Sequence, residues 1–252
     1  TLESALAEAE AALPQTADYR LADYVLFPEQ TEDTVLSDYE ALVLEHGCGR
    51  TAARLSCTEF DLETLTQACE KMESLPDKLL DKLKAESTAM PRLYAHTDSM
   101  LLPVLLLPEE GEGELTVSGS GAFRTQGGVV QRLTENETEA IRLLTGTPGS
   151  RTFWLDGRRV TVRRSTVSVT LQKQAVALRL DCQAAYGTPQ PDEAQRQQLT
   201  ELCNQAVQRC WQQGTDLLHL RERSLLSTGS AEGFDPAKNA CPQLQTDVVF
   251  LG

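Results

Sequence analysis

The chain has 252 residues, of which 40% are hydrophobic and 24% charged, as in ordinary folded proteins, so a wholly disordered or low-complexity chain is excluded. Its 37 acidic residues against 23 basic ones give a formal net charge of −14, which disfavours nucleic acid as a partner because phosphate backbones carry the same charge. The longest apolar run, 100–107, is far shorter than the roughly 20 residues that a membrane-spanning helix needs.

The first 110 residues alternate between helical and strand patterns. Apolar residues at helical spacing predict helices, and short runs rich in β-branched and aromatic residues predict strands. The helical segments are 1–13, 35–43, 62–75 and a short one that Pro76 starts, 76–83, and the strand segments are 21–27, 51–57 and 101–107. Asp61 suits the N-cap of the third helix, and Pro103 predicts that the third strand is an edge strand or contains a bulge.

A charged, glycine-rich segment at 109–114 has no apolar residue, which is typical of an exposed connection. We therefore expect two domains, an N-terminal one over 1–110 and a C-terminal one over 111–252. Each is predicted to be a mixed or mainly antiparallel β-sheet with helices packed on it, so that the fold class is α+β.

The second half opens with a predicted hairpin, followed by a helix with a recognisable N-terminal capping motif. Gly127-Gly128 allows the chain to reverse between two strands, and Thr134 and Glu137 form a capping box that starts the helix. The paired glycines and serines at 118–121 fit neither a phosphate-binding loop nor a nucleophile elbow, and we interpret them as part of a strand.

The remaining elements are typical of a sheet covered by one long helix. Asp156-Gly157 predicts a two-residue turn before a long strand, 159–171. The apolar residues of this strand lie at even positions in its first part and at odd positions in its second, which predicts a bulge at 163–165. A broad apolar stripe predicts that the helix 191–213 covers the C-terminal sheet. The other predicted elements are a strand at 176–182, a helix at 216–226 and a closing strand at 247–251.

No catalytic, cofactor-binding or metal-binding pattern is visible. None of the three histidines has a carboxylate or nucleophile at a known catalytic spacing, and the seven scattered cysteines contain no CxxC pair. We therefore expect no enzyme, no cofactor and no metal. A metal held by 46–48 with Cys57, and a cysteine nucleophile with a lowered pKa, are the alternatives.

Arg158, Arg159, Arg163 and Arg164 form the dense positive cluster of this acidic sequence. Such a cluster can orient a partner or meet anionic headgroups. It can also be the exposed face of an edge strand, where charge discourages aggregation. The sequence leaves both interpretations open.

The second half resembles the C-terminal domain of the Ger(x)C family, the lipoprotein C subunits of spore germinant receptors. The resemblance rests on GAFRTQGGVVQRLTENETEAIRLL at 121–144 and on WQQGTD at 211–216, where an aspartate follows the long helix, and it covers 115–252. TLESALAEAEAAL at 1–13 is also similar to that family's leading helix. The matching motif positions are Phe123, Leu133, Thr134, Glu137 and Asp216.

This resemblance implies a non-enzymatic, extracytoplasmic spore germination protein that works with the integral membrane A and B subunits of a nutrient germinant receptor. It also implies a lipid anchor at the spore inner membrane. The sequence contains no lipobox cysteine and its N-terminal region is short for the family, so we expect the anchor in a segment outside these 252 residues. The alternative function is an extracytoplasmic small-ligand-binding module unrelated to germination.

Overall fold

The computed structural model describes residues 4, 7, 8, 11, 22–29, 38–41, 43, 49–87, 90–92, 99–107, 116–124, 128–172 and 175–251, with backbone only at 116–124 and 128–131. The helices predicted at 1–13 and 35–43 lie mostly outside these residues, and His46, Cys48 and His96 lie wholly outside them. The chain divides into two compact units, 1–130 and 131–252.

The first sheet has five strands in the order β1-β2-β3-β4-β5, in which β1, β2 and β3 run parallel and β4 runs antiparallel to β3. It belongs to the first unit, except that β5 continues past residue 130. Parallel neighbours require long crossovers, and two helices lie between β2 and β3. The strands are β1 (Tyr24–Pro28), β2 (Arg54–Thr58), β3 (Ser99–Leu106), β4 (Thr116–Arg124) and β5 (Gly128–Leu133), and the helices are α1 (Leu62–Lys71) and α2 (Leu75–Glu86).

Two local predictions in this unit are confirmed. Asp61 is the N-cap of α1, where its side chain accepts a hydrogen bond of 2.8 Å from the backbone N–H of Thr64. The register of β3 against β4 shifts between Pro103 and Leu105, which is the predicted irregularity. Because β3 lies between β2 and β4, the alternative prediction of an edge strand is wrong.

The division between the compact units differs from the boundary predicted after residue 110. It falls between residues 130 and 131, because β4 pairs with β3 from Arg124 opposite Ser99 to Thr116 opposite Leu106. The strand expected to open the C-terminal domain thus joins the first sheet, and the charged segment 109–114 connects two neighbouring strands of that sheet.

The second unit contains a four-stranded sheet in the order β6-β7-β8-β9, in which β6, β7 and β8 are antiparallel and β9 is parallel to β8. The strands are β6 (Arg151–Leu155), β7 (Arg158–Leu171), β8 (Ala175–Ala184) and β9 (Gln243–Phe250), and the helices are α3 (Glu135–Leu144), α4 (Glu193–Gln212) and α5 (Leu220–Thr228). The predicted α+β class is confirmed.

One face of this sheet, the inner face, carries the core and is covered by α3 and α4. Its buried side chains come from all four strands. They are Phe153, Leu155, Val160, Val162, Val176, Leu178, Leu180, Cys182, Val248 and Phe250. The long helix predicted at 191–213 is confirmed as α4, which packs on β6 and β9 and begins at Asp192 with a second capping box to Gln195.

The hairpin β6–β7 has the predicted turn and the predicted bulge. Asp156 and Gly157 have φ values of 49° and 66°, as a turn with two left-handed residues requires. The register of β7 against β8 shifts between Val162 and Arg164. This shift places Val162 and Val167 on the same face, although their sequence positions differ in parity.

Among the described residues, no helix combines the length and apolarity needed to cross a membrane.

Candidate interaction surface

The outer face of the second sheet, opposite the core, presents an exposed tryptophan beside an arginine. In β6, Phe153 is fully buried, whereas the next residue, Trp154, is 66% exposed because alternate side chains of a strand point to opposite faces. The register pairs Trp154 with Arg159 across the hairpin. The next outward pair is Thr152 and Thr161, whose hydroxyls lie 3.2 Å apart.

The bulge in β7 brings two further arginines to the same face. Arg164 lies opposite Gln183, and Arg163 Nη2 donates a hydrogen bond of 2.7 Å to Gln183 Oε1. The guanidinium carbon of Arg163 lies 4.3 Å from the ring centroid of Tyr186, a cation–π contact, and Tyr186 is 84% exposed.

We call Trp154, Arg159, Arg163, Arg164 and Tyr186 the basic–aromatic surface. At about 3.3 Å per strand residue, Arg159 and Arg163 stand at most about 13 Å apart along β7, because the bulge lies between them. Three of the four arginines expected as a patch therefore lie on one face. Arg158 is exposed but lies opposite Leu155 at the turn, in register with the inner face.

The arginines of the basic–aromatic surface form no ion pair with a described residue, although Asp181 lies opposite Thr166, two residues along β7 from Arg164. Within the described part of the chain, no carboxylate lies within ion-pairing distance of Arg159, Arg163 or Arg164. Farther along the same face, Arg179 lies 3.1 Å from Asp181 and 4.0 Å from Asp247. At one end of the outer face Arg179 is therefore ion-paired, whereas the arginines of the basic–aromatic surface at the other end have no ion-pair partner among the described residues.

The motif residues Thr134 and Glu137 start α3. The Thr134 N–H donates to Glu137 Oε2 at 2.8 Å, and the Glu137 N–H donates to Thr134 Oγ1 at 3.3 Å, so the predicted capping box is confirmed. Arg209 of α4 donates to Glu137 Oε1 at 2.6 Å. Partial burial alone would raise the pKa of Glu137, but the hydrogen bonds from Thr134 and Arg209 outweigh it and hold the pKa below its ordinary value.

Asp216 has a similar role at the start of α5. It is buried, and its Oδ2 accepts a 2.9 Å hydrogen bond from the Arg221 N–H. Burial raises the pKa of Asp216, although backbone hydrogen bonds from Arg221, Leu220 and Leu218 oppose that rise. The helix predicted at 216–226 begins four residues later, because its N-cap is His219, which has a left-handed φ of 53°, while the Asp216 carboxylate bonds the first turn through the Arg221 N–H.

The two other motif residues belong to strands. Leu133 is buried at the end of β5, immediately before the N-cap of α3. Phe123 lies in β4 opposite Met100 of β3. Leu133, Thr134 and Glu137 thus lie at strand or helix ends, and Asp216 bonds the start of α5. Their contacts belong to the fold, and none of these contacts indicates chemistry on a substrate.

A cleft of about 890 Å³ lies between the end of β7 and the segment 224–239. Its lining includes Leu171, Ser224, Thr228 and Phe234. The Ser224 hydroxyl donates to the Ser230 carbonyl at 2.7 Å, and the Thr228 hydroxyl donates to the Ser224 carbonyl at 2.9 Å. Both hydroxyl groups already donate to carbonyls within the segment 224–230, so they do not favour the alternative of a small-ligand module.

Four of the six described thiols do not suit nucleophilic chemistry. Burial raises the pKa of Cys182, Cys203 and Cys210 to about 12 each, and that of Cys241 to about 11, so little reactive thiolate forms at neutral pH. Over the residues that the structure describes, no three metal-ligating side chains lie together.

Sequence reasoning missed the two aromatic residues of the basic–aromatic surface. A signal for Trp154 existed, because a two-residue turn at Asp156-Gly157 fixes the pairing of Trp154 with Arg159. No local signal existed for Tyr186, which reaches Arg163 only because β8 returns beside the bulge of β7.

Comparison with known proteins finds a likeness in structure. No protein family profile matches the sequence, and no curated protein matches it. A solved structure, "Crystal Structure of the GerBC protein", superimposes with a TM-score of 0.59 and 12% sequence identity, covering 95% of this chain and 81% of that one. At this identity the likeness concerns the fold. The chain has a Ger(x)C-like fold, as its resemblance at 115–252 predicted.

Proposed function

We propose that this protein is a C-subunit-like component of a nutrient germinant receptor complex and acts through protein–protein contacts. The observation that carries the proposal is the shared fold with GerBC over 95% of this chain and 81% of that chain. A match over both units supports a common architecture better than a match of one sheet would.

The chemistry of the described residues supports a non-enzymatic role. The side chains of Thr134, Glu137 and Asp216 bond backbone N–H groups at helix starts, and burial raises the pKa of the Cys182, Cys203 and Cys210 thiols. Exposed polar and aromatic side chains lie on the outer face of the second sheet, where they are available to a partner. Aromatic residues and arginine are enriched in protein–protein interfaces.

The partners and location follow from the resemblance to the Ger(x)C family. The partners would be the integral membrane A and B subunits, and the protein would be held outside the cytoplasm at the spore inner membrane by a lipid anchor. Residues 1–252 would then supply the extracytoplasmic part that contacts the membrane subunits.

Deleting the gene in its native host tests this function. We expect the mutant spores to lose germination with the nutrients that this receptor serves, while germination by nutrient-independent treatments stays intact. Reintroducing the wild-type gene should restore the response. Normal nutrient germination in a strain that also lacks any paralogous C-subunit genes would contradict the proposal.

A further inference from the structure

The basic–aromatic surface is a local positive region in a chain of net charge −14. Charge effects between exposed groups decay over about 8–10 Å at physiological ionic strength. Arg159, Arg163 and Arg164 therefore attract an anionic group at close range, whereas the acidic remainder of the chain repels it. An acidic ligand would be directed to this surface.

Arg163 is already held in a binding geometry. Its stacking on Tyr186 and its hydrogen bond to Gln183 fix the plane of the guanidinium group. A guanidinium group has five N–H donors, and the one bonded to Gln183 leaves others able to bind a carboxylate in a bidentate manner. Ordering this side chain on binding therefore costs less entropy than ordering an unsupported arginine would.

The aromatic residues give the surface an apolar component at each end. Trp154 lies across from Arg159 at one end, and Tyr186 stacks with Arg163 at the other. Tryptophan, tyrosine and arginine are the residue types that contribute most to protein interfaces. Since Arg159 and Arg163 are at most about 13 Å apart along β7, an extended segment of three to four residues can reach both.

The rest of the outer face disfavours a flat anionic membrane as the ligand. Asp181 and Asp247 lie farther along the same face, beside Arg179. A membrane plane covering the face would approach both carboxylates as well as the arginines, whereas a narrow peptide segment along the first half of β7 would avoid Asp247 and meet Asp181 only at its edge, opposite Thr166.

We propose that the basic–aromatic surface binds an acidic, extended segment of a protein partner, with carboxylates on Arg159, Arg163 and Arg164 and apolar side chains against Trp154 and Tyr186. The choice of a protein as the partner rests on the proposed function. The inference goes beyond that function in naming the surface and the chemistry of the segment.

A titration with a synthetic peptide tests the proposal on the purified chain. The probe is a ten-residue peptide in which glutamate alternates with alanine, and the matched probe has lysine in place of glutamate. The chain has two tryptophans, so its nitrogen–proton NMR spectrum contains two indole signals, which Trp154→Phe assigns. The Trp211 indole is buried and donates to the Asn239 carbonyl at 2.9 Å, so it serves as an internal reference.

We expect the glutamate peptide to shift the Trp154 indole signal in a saturable, salt-sensitive manner while the Trp211 signal stays in place, and the lysine peptide to shift neither. Each of Arg159→Gln and Arg163→Gln should weaken binding about two- to fivefold, the range for an exposed charge contact. The triple variant R159Q/R163Q/R164Q should weaken it about tenfold or more. The control Arg179→Gln, on the paired end of the same face, should change it less than twofold.

Three results would overturn the inference. The first is no shift of the Trp154 signal by the glutamate peptide, and the second is equal weakening by Arg179→Gln and Arg159→Gln. The third is a larger, arginine-dependent shift with phosphatidylglycerol vesicles than with the peptide, phosphatidylcholine vesicles being the blank, which would assign the surface to a membrane. Because this titration involves no spores, it can fail while the gene deletion still abolishes nutrient germination, and the reverse can also occur.

Discussion

The two faces of the second sheet are formed by the same four strands but differ in burial and in charge. Phe153 and Trp154 are neighbours in β6, yet the first is fully buried and the second is 66% exposed. The inner face is apolar and covered by α3 and α4, whereas the outer face carries exposed arginines at one end and paired charges at the other. Buried packing and exposed charge thus lie on opposite faces, so substitutions can separate the stability of the fold from the proposed interaction.

The largest expected difference is between two adjacent residues. Phe153→Ala leaves a cavity in the core and should lower the free energy of unfolding by about 3–5 kcal/mol. Trp154→Ala should change it by about 0.5 kcal/mol or less, as for most surface substitutions. Chemical denaturation followed by circular dichroism measures both, and similar losses for the two variants would show that the faces are not divided in this way.

A smaller difference is expected between the ion pairs of the two faces. Glu139 bonds Arg142 at 2.8 Å and lies 3.3 Å from Arg151, with all three side chains 10–14% exposed. Glu139→Ala leaves guanidinium groups without this carboxylate and should cost about 2–3 kcal/mol. Asp181→Ala removes a partner of the well-exposed Arg179 and should cost about 1 kcal/mol or less. Equal costs in the same denaturation experiment would contradict the contrast.

The capping box at the start of α3 is expected to contribute about 1 kcal/mol to the free energy of unfolding. Thr134→Ala removes the side-chain acceptor for the Glu137 N–H and should lower the free energy of unfolding by about 1 kcal/mol. Thr134→Ser keeps the hydroxyl group and should cost much less. An alanine variant as stable as the serine variant would show that the capping box adds nothing.

The smallest predicted effect on stability is a change in pH dependence. The pKa of Glu137 lies below its ordinary value, so its contribution to stability is present above that ordinary value and is lost as the pH falls through the lowered one. Glu137→Gln should therefore be less stable than the wild type at neutral pH, and the two should converge on acidification. A constant difference between their unfolding midpoints across this range would contradict the lowered pKa.

Predictions from the sequence succeeded where neighbouring residues determine the structure. The capping box at Thr134, the turn at Asp156-Gly157 and the bulge before Arg164 each depend on a few consecutive residues and on strand or helix period. The pairing of β4 with β3 depends on contacts across the connection at 109–114, which no local pattern encodes. The domain boundary was therefore predicted twenty residues before the division of the compact units.

The candidate surface shows the same limit. The arginines were recognised because they are close together in sequence, but sharing one face with Tyr186 depends on β8 lying beside β7. Likewise the closing strand was predicted at 247–251, whereas β9 spans Gln243–Phe250, because its first residues are polar and extended only through parallel pairing with β8. Tertiary pairing, which the sequence pattern does not contain, assembles both features.

Complementing the deletion strain with the triple variant R159Q/R163Q/R164Q tests the central claim, that the outer face serves partner contact in a germinant receptor while the inner face maintains the fold. We expect a variant protein with an unchanged unfolding midpoint that fails to restore nutrient germination, whereas Arg179→Gln restores it. Full germination with the stably folded triple variant would contradict the account.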